Sequence, residues 1–535
     1  VTAPPGRDRA WRVWAAASAI AFVAAAIHAA ANRGEVLSPL SDEALLLPIA
    51  LRQADPSLYP GDTWLATTAG VFSVAYSWLI AALLSFIDDP IAALRLLSIP
   101  AHAVLIAGTW RLAERFGGRA AAVAATLLVA LPPCSVIVFA PGAALPRDLV
   151  FAALPWLTLA LVDAPSPRRA VVVFGALGLL ANLHPLTGLH FAALFLVVGL
   201  VLDPTPRGAA ACAVRGVAFA VGASPYAAQY LARPAAVGDV DPAVYAWRLP
   251  EMAGESVGAW AARMEPAIWL GAAAAVLAVA ARRLGATPPR ALVVVLVVSF
   301  AFAALGPTIG RLAPPLRAVQ LARFERVSDW CAVVVAAVCL ATAWRARAFA
   351  AVSAALACVA ASTIQAGAFD DAPGPRGPIA RVGRLIDRGA GVPFARPVPP
   401  ALRPRTDVVD PTSPDNREAF LAVCRFAREE TAEDALFLVP PEHWGPFRVY
   451  ARRGVFVTRK EGGAALSFLG AQGARWFDDY SAAVEAYAAG DQGRLGAFAE
   501  QRGADYVVAD PGTIPPPWPL VLSAGKFRVF DARRK

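Results

Sequence analysis

Twelve apolar stretches crowd the first 370 or so residues, at 13–31, 69–87, 92–110, 120–140, 148–162, 170–183, 188–202, 211–231, 266–281, 291–306, 328–344 and 348–366. A bilayer crossing takes about 20 apolar residues, fewer where interfacial side chains flank it. Backbone polar groups in lipid are satisfied only within helices or closed barrels, and runs of this length are helical. The remainder differs in composition: residues 1–369 carry 45 charged side chains, and the 166 residues that follow carry 44. With a hydrophobic fraction of 57% and a mean hydropathy of +0.52, the chain holds more apolar surface than a soluble core can absorb. The expected class is mainly α, a polytopic transmembrane helical bundle followed by a small extracytoplasmic α/β domain.

Orientation follows from arginine, which short cytoplasmic loops retain. Clusters stand at Arg7/Arg9/Arg12, Arg111/Arg115/Arg119, Arg168/Arg169, Arg207/Arg215, Arg282/Arg283/Arg290 and Arg345/Arg347. From Arg119 onward two apolar segments separate each pair of clusters, so all of them fit the cytoplasmic side. Before Arg111 there are three segments where an even number is required. One of them, within 69–110, lies along the interface or re-enters, giving about 11 crossings. The basic start reads as an uncleaved first helix rather than a signal peptide, because many spans follow. This arrangement keeps the N-terminus cytoplasmic and places 32–68, 141–147, 232–265, 307–327 and the C-terminal domain outside. The +9 net charge is thereby a membrane-orientation signal, and no nucleic-acid partner is expected.

Three regions are expected: residues 1–369 as the membrane module, 370–414 as a Pro- and Arg-rich linker, and 415–535 as the α/β domain. Within the last, helices are predicted at about 416–430, 481–489 and 494–501. Strands are predicted at 435–439, 454–458, 505–509, 520–523 and 527–530. The six cysteines show no CxxC spacing and read as small core residues. There is no GxxxxGK[ST] loop and no GxSxG elbow, which argues against an ATP-driven pump and an α/β-hydrolase.

The first external loop, Ser41-Asp42-Glu43 through Asp55 to Tyr59-Pro-Gly61-Asp62-Thr-Trp64, concentrates acids at the membrane surface. Asp42 has two readings. It is a general base for an incoming hydroxyl, or, with Glu43, it complements the dipole of a helix capped by Ser41. Asp148, beside Arg147, is a site residue or an interfacial pair; an acid at that depth is costly unless paired or hydrated.

Asp42, the segment Ala92-Ala-Leu-Arg95-Leu-Leu-Ser98, the turn Arg111-Leu-Ala-Glu-Arg-Phe-Gly-Gly118 and Pro146-Arg147-Asp148 together resemble the GT-C superfamily. These are membrane glycosyltransferases that include the protein mannosyltransferases and the aminoarabinose transferases. The stretches Phe426–Thr431, Ala435–Pro440 and Phe447–Arg453 are similar to the outer end of an uncharacterised bacterial group within it. The resemblance implies a bacterial inner-membrane enzyme that takes a sugar from a polyprenyl-phosphate donor to an extracytoplasmic acceptor hydroxyl on a lipid, glycan or protein. It makes Asp42 or its neighbour Glu43 the base and gives Asp148 a part in shaping the acceptor or metal site. No cofactor is demanded; Asp42 with Asp148 could hold Mg²⁺ or Mn²⁺.

Arg311, Arg317, Arg323 and Arg326 occupy an external loop, against the positive-inside rule. Binding a lipid phosphate accounts for them, and pairing of Arg323 or Arg326 with Glu325 or Asp329 is the alternative. His184, at an external helix end, is a further candidate contact to substrate. Two other functions use the same features: a lipid or glycolipid transporter, and a non-catalytic protein of envelope assembly.

Overall fold

The computed structural model describes residues 7–31, 37, 41–130, 145–162, 166–232, 257–285, 289–312, 320–367, 378–389, 409–488, 492–511, 513 and 517–533. The chain forms two compact units, each discontinuous in sequence. One comprises 1–31, 94–229 and 250–394; the other comprises 32–93, 230–249 and 395–535. The long first loop thus groups with the C-terminal domain, a pairing that the in-order division at 369 and 414 does not contain.

The first unit is helical. Among the described residues five helices of the chain are long and apolar enough to cross a membrane, or six if one bent pair is a single span. The protein is therefore a multi-pass membrane protein; the described residues account for five or six of the about 11 crossings counted from the sequence. Several segments counted there form shorter helices, such as Leu154–Val162 with 9 residues and Pro167–Ala181 with 15. The segment at 92–110 and the described part of 120–140 share one helical run, Pro90–Ala130, broken at Gly118 (φ 77°), a left-handed geometry suited to a residue without Cβ; residues 131–140 lie outside the described residues. The bent pair, Thr63–Ala69 with Val74–Leu84 at 115°, falls in the second unit, where the crossing count was disputed.

Helix Glu325–Arg345 is apolar on all sides, and 83% of its 18-residue apolar stretch is buried, the pattern of a central helix. It packs on Val257–Arg283, and its Trp330 Nε1 donates to Thr109 Oγ1 at 3.1 Å. The segment read as a linker contains the helix Pro378–Gly389, which packs against Val257–Arg283; Ile379 N–H donates to Glu265 Oε1 at 3.2 Å. Ile379, Val382, Leu385 and Ile386 carry an i, i+3, i+4 apolar spacing that the Pro- and Arg-rich composition obscures.

Helices Pro167–Ala181 and Pro206–Leu231 cross with almost no gap. A Cβ on Gly222 would lie 2.3 Å from the Gly175 carbonyl oxygen, the close approach that small residues permit between membrane helices. Pro225 interrupts the second helix, and Asn182 repairs the damage. Its Nδ2 donates to Gly222 O at 2.9 Å and its Oδ1 accepts Tyr226 N–H at 2.9 Å, bridging an i to i+4 pair. Asn182→Leu removes both bonds and leaves backbone groups unsatisfied. We expect a loss of about 1–3 kcal/mol, measurable as a lowered thermal midpoint in detergent and absent in a surface control such as Arg169→Gln.

In the second unit a five-stranded sheet runs in the order β2-β1-β3-β5-β4, with β1 Leu436–Leu438, β2 Gly454–Val455, β3 Tyr506–Ala509, β4 Leu520–Ala524 and β5 Phe527–Asp531. β1 is parallel to β2 and β3, whereas β5 is antiparallel to β3 and β4. Alternate side chains enter two cores. Phe437, Val439, Tyr506 and Val508 meet helices Arg417–Glu430 and Phe447–Ala451, and Leu438, Val507 and Ala509 meet Ala471–Ala488 and Gln492–Arg502. Trp444 and Trp476 are fully buried and serve packing: Trp444 sits between Phe420 and Phe527, and Trp476 stacks on Tyr480. The free cysteines among the described residues are buried or half-buried.

Candidate functional site

In the first unit, three chain segments converge on a narrow cavity lined by Arg147, Asp148, His184, His190, Arg323 and Arg326 with Phe151, Phe191 and Val327. Pro146, whose missing N–H costs nothing at a helix start, opens the helix Pro146–Phe151 and sets Arg147 and Asp148 in its first turn. Buried Asp148 accepts Leu145 N–H through Oδ2 at 3.2 Å, and its Oδ1 lies 3.7 Å from Arg147 Nε. It is thus both a helix-start acceptor and a wall of the cavity.

His184 caps the helix Pro185–Leu202. Its Nδ1 accepts Thr187 N–H at 3.2 Å and lies 2.8 Å from Thr187 Oγ1, which assigns the ring proton to Nε2. Buried His190 tilts over Phe324 at 4.7 Å. Arg323 belongs to the 3-10 turn Leu321–Phe324, and Arg326 to the first turn of Glu325–Arg345. The pairing alternative for Arg326 is realised only weakly, with its Nε 4.0 Å from Glu325 Oε1.

Three guanidinium groups against one lining carboxylate give the cavity a net positive lining. The N-terminal turns of two long helices, at Pro185 and Glu325, add partial positive charge. The cavity measures about 30 Å³, room for a water or an anion oxygen rather than a sugar ring. A divalent cation does not fit here, since the arginines around Asp148 would repel it. Among the described residues no group of three or more His, Cys, Asp or Glu is arranged to hold a metal.

Of the residues singled out in the sequence, the structure brings Asp148, His184, Arg323 and Arg326 to one cavity. Arg317 lies outside the described residues, as does the side chain of Arg311. Arg147 and His190 line the cavity as well, without having been named as contacts to substrate. For Arg147 the signal was its place next to Asp148 at a helix start.

Asp42 and Glu43 belong to the second unit. Asp42, not Ser41, takes the N-cap position of helix Glu43–Ala54, and its side chain makes no capping bond. Its Oδ1 instead receives Lys460 Nζ at 2.8 Å. Further along the loop, Asp62 is fully buried and caps Thr63–Ala69 by accepting Leu65 N–H at 2.8 Å. Arg448 Nε donates to Asp62 Oδ2 at 2.6 Å and Nη2 to Oδ1 at 3.2 Å, while Nη1 binds Glu461. Burial alone would lower the Arg448 pKa, and the Asp62 and Glu461 carboxylates reverse this and hold it above its ordinary value. Tyr59 Oη donates to Arg448 O at 2.9 Å, and Trp64 Nε1 donates to Asp479 Oδ2 at 3.2 Å. The acid-bearing loop is therefore clasped by the domain that follows it hundreds of residues later. Asp62 was read as one more loop acid; no spacing in the sequence connects it with Arg448.

A family model described as a domain of unknown function, DUF6798, matches residues 418–477, the stretch that carries Arg448, Lys460 and Glu461. A comparison with curated proteins gives no match. Among solved structures, the chain is similar to the Archaeoglobus fulgidus oligosaccharyltransferase tethered with an acceptor peptide containing the NVT sequon. That pair is 12% identical with a TM-score of 0.48, over 94% of this chain and 69% of the other. The same oligosaccharyltransferase in complex with Zn and sulfate gives 14%, 0.44, 92% and 68%. The archaeal oligosaccharyltransferase AglB from Archaeoglobus fulgidus, in complex with an inhibitory peptide and a dolichol-phosphate, gives 12%, 0.40, 92% and 69%.

Proposed function

We propose that this protein is a membrane glycosyltransferase of GT-C type that moves a sugar from a polyprenyl-phosphate donor to an acceptor hydroxyl outside the cytoplasm. Residues 370–414 then connect the membrane module to an extracytoplasmic domain at 415–535. The observation that carries the reading is the convergence of Arg147, Arg323 and Arg326 with His184 on one cavity at helix N-terminal ends. Such a site suits the phosphate of a lipid donor, whose negative charge grows as the glycosidic C–O bond breaks. The acceptor oxygen attacks the anomeric carbon, the phosphate leaves with the bonding electrons, and Asp42 or Glu43 takes the hydroxyl proton. Asp148 keeps Arg147 in place beside the leaving phosphate, and Arg311 and Arg317 supply further cations from the same loop.

The test is sugar transfer from a radiolabelled polyprenyl-phosphate donor by the protein in liposomes. Arg326→Ala should slow transfer about 10²-fold while the thermal midpoint stays unchanged. Full activity in that variant, or transport of labelled lipid without any glycosylated product, would remove this reading.

A further inference from the structure

We propose that the cleft between the last turn of helix Val257–Arg283 and the first turn of helix Phe349–Gly367 binds an anionic phospholipid. The phosphate would sit on Arg283 and Arg347, and an acyl chain along the apolar floor. The cleft is an open groove of about 780 Å³, within the size range of ligand pockets. Small residues such as Ala275 and Ala280 open the space, while Val279, Leu284 and Phe349 wall it and are 44–55% exposed. Trp344, 61% exposed, meets Phe349 edge to face at 5.9 Å and adds the aromatic that marks a membrane interface.

Charge identifies the occupant. Arg283 and Arg347 line the cleft, with Arg282 and Arg345 close to them in sequence, yet the sequence has no Asp or Glu in 266–324 or in 330–369. The one acid on the two helices that build the cleft, Glu265, accepts Ile379 N–H and stands 18 residues before Arg283, about 27 Å away along the helix, too far to supply their counter-charge. Arg345 turns back, its Nε donating to Ala341 O at 2.9 Å, which leaves Arg283 and Arg347 as the lining cations. Arg347 stands at φ 57° in the turn after Glu325–Arg345, a left-handed position that glycine fills more cheaply. The turn is pinned by Ala346 N–H to Thr342 O, Arg347 N–H to Trp344 O and Ala348 N–H to Ala343 O. An arginine is held there despite the backbone cost, at the lip of an apolar cleft. Basic pockets between membrane helices recognise anionic headgroups, and neither the apolar floor nor the volume is needed for a free inorganic anion.

Native mass spectrometry of the detergent-solubilised protein tests this with dioleoyl-phosphatidylglycerol against dioleoyl-phosphatidylcholine. The native chain should prefer the anionic lipid about tenfold. Arg283→Gln with Arg347→Gln should bring the two lipids within about twofold, and Ala280→Phe should weaken both while keeping the preference for phosphatidylglycerol. An unchanged thermal midpoint confirms that each variant is folded. Equal binding of both lipids by the native chain, an unaltered preference in the double variant, or displacement of bound lipid by inorganic phosphate would each overturn the proposal.

Discussion

Arg448→Met should destabilise the C-terminal domain and the first loop together, by about 3–5 kcal/mol. The substitution keeps much of the volume and removes the charge, so Asp62 and Glu461 are left as two fully buried carboxylates without their shared cation. Each keeps some hydrogen bonds, Asp62 from Leu65 and Val455 N–H and Glu461 from Thr458 N–H, but these do not cancel like charges in a low dielectric. Hydrogen exchange should show early opening of β1, β2 and helix Glu43–Ala54 while helix Glu325–Arg345 keeps its protection. Adding Asp62→Asn and Glu461→Gln to the same chain should recover most of the loss, since a neutral set is cheaper to bury than an unbalanced one. Native protection in Arg448→Met alone would show that the clasp does not hold the loop.

Asp42→Asn should lower sugar transfer about 10³-fold, the middle of the range for losing a positioned general base. The stability effect sets the control. The Asp42 side chain is 43% exposed, and a pair of that exposure with Lys460 is worth about 0–1 kcal/mol. A thousandfold rate loss corresponds to about 4 kcal/mol, more than the ion pair can account for. Lys460→Gln separates the roles: it breaks the same pair, so it should match Asp42→Asn in stability but retain most of the turnover. Glu43→Gln decides between the neighbouring acids. If Lys460→Gln is as inactive as Asp42→Asn, Asp42 acts through its partner and is not the base.

The twelve apolar runs and the charge break near 369 made the apolar helices and a small C-terminal α/β region legible, because hydrophobic length and period are local properties of the chain. The strands at 435–439, 505–509 and 527–530 were readable for the same reason, from alternating branched and aromatic residues. Short helices escaped. Pro378–Gly389 was hidden by a Pro- and Arg-rich neighbourhood, and the helix predicted at 481–489 begins at Ala471, where Trp476 and Tyr480 pack inward. Asp148, His184, Arg323 and Arg326 could be nominated from their chemistry at helix ends. Their meeting at one cavity depends on how helices distant in sequence cross, which side-chain volumes such as Gly222 against Gly175 decide.

By itself, then, the sequence determined which segments are apolar enough for lipid, which are not, and which polar residues stand at their ends. Tertiary structure alone decided the partners: Asp62 with Arg448 at a separation of 386 residues, Asp42 with Lys460 at 418, and three arginines around one cavity. Burial patterns are written in nearest-neighbour chemistry. A buried ion pair is not, because its energy depends on a distance and a local dielectric that exist only once the chain has packed.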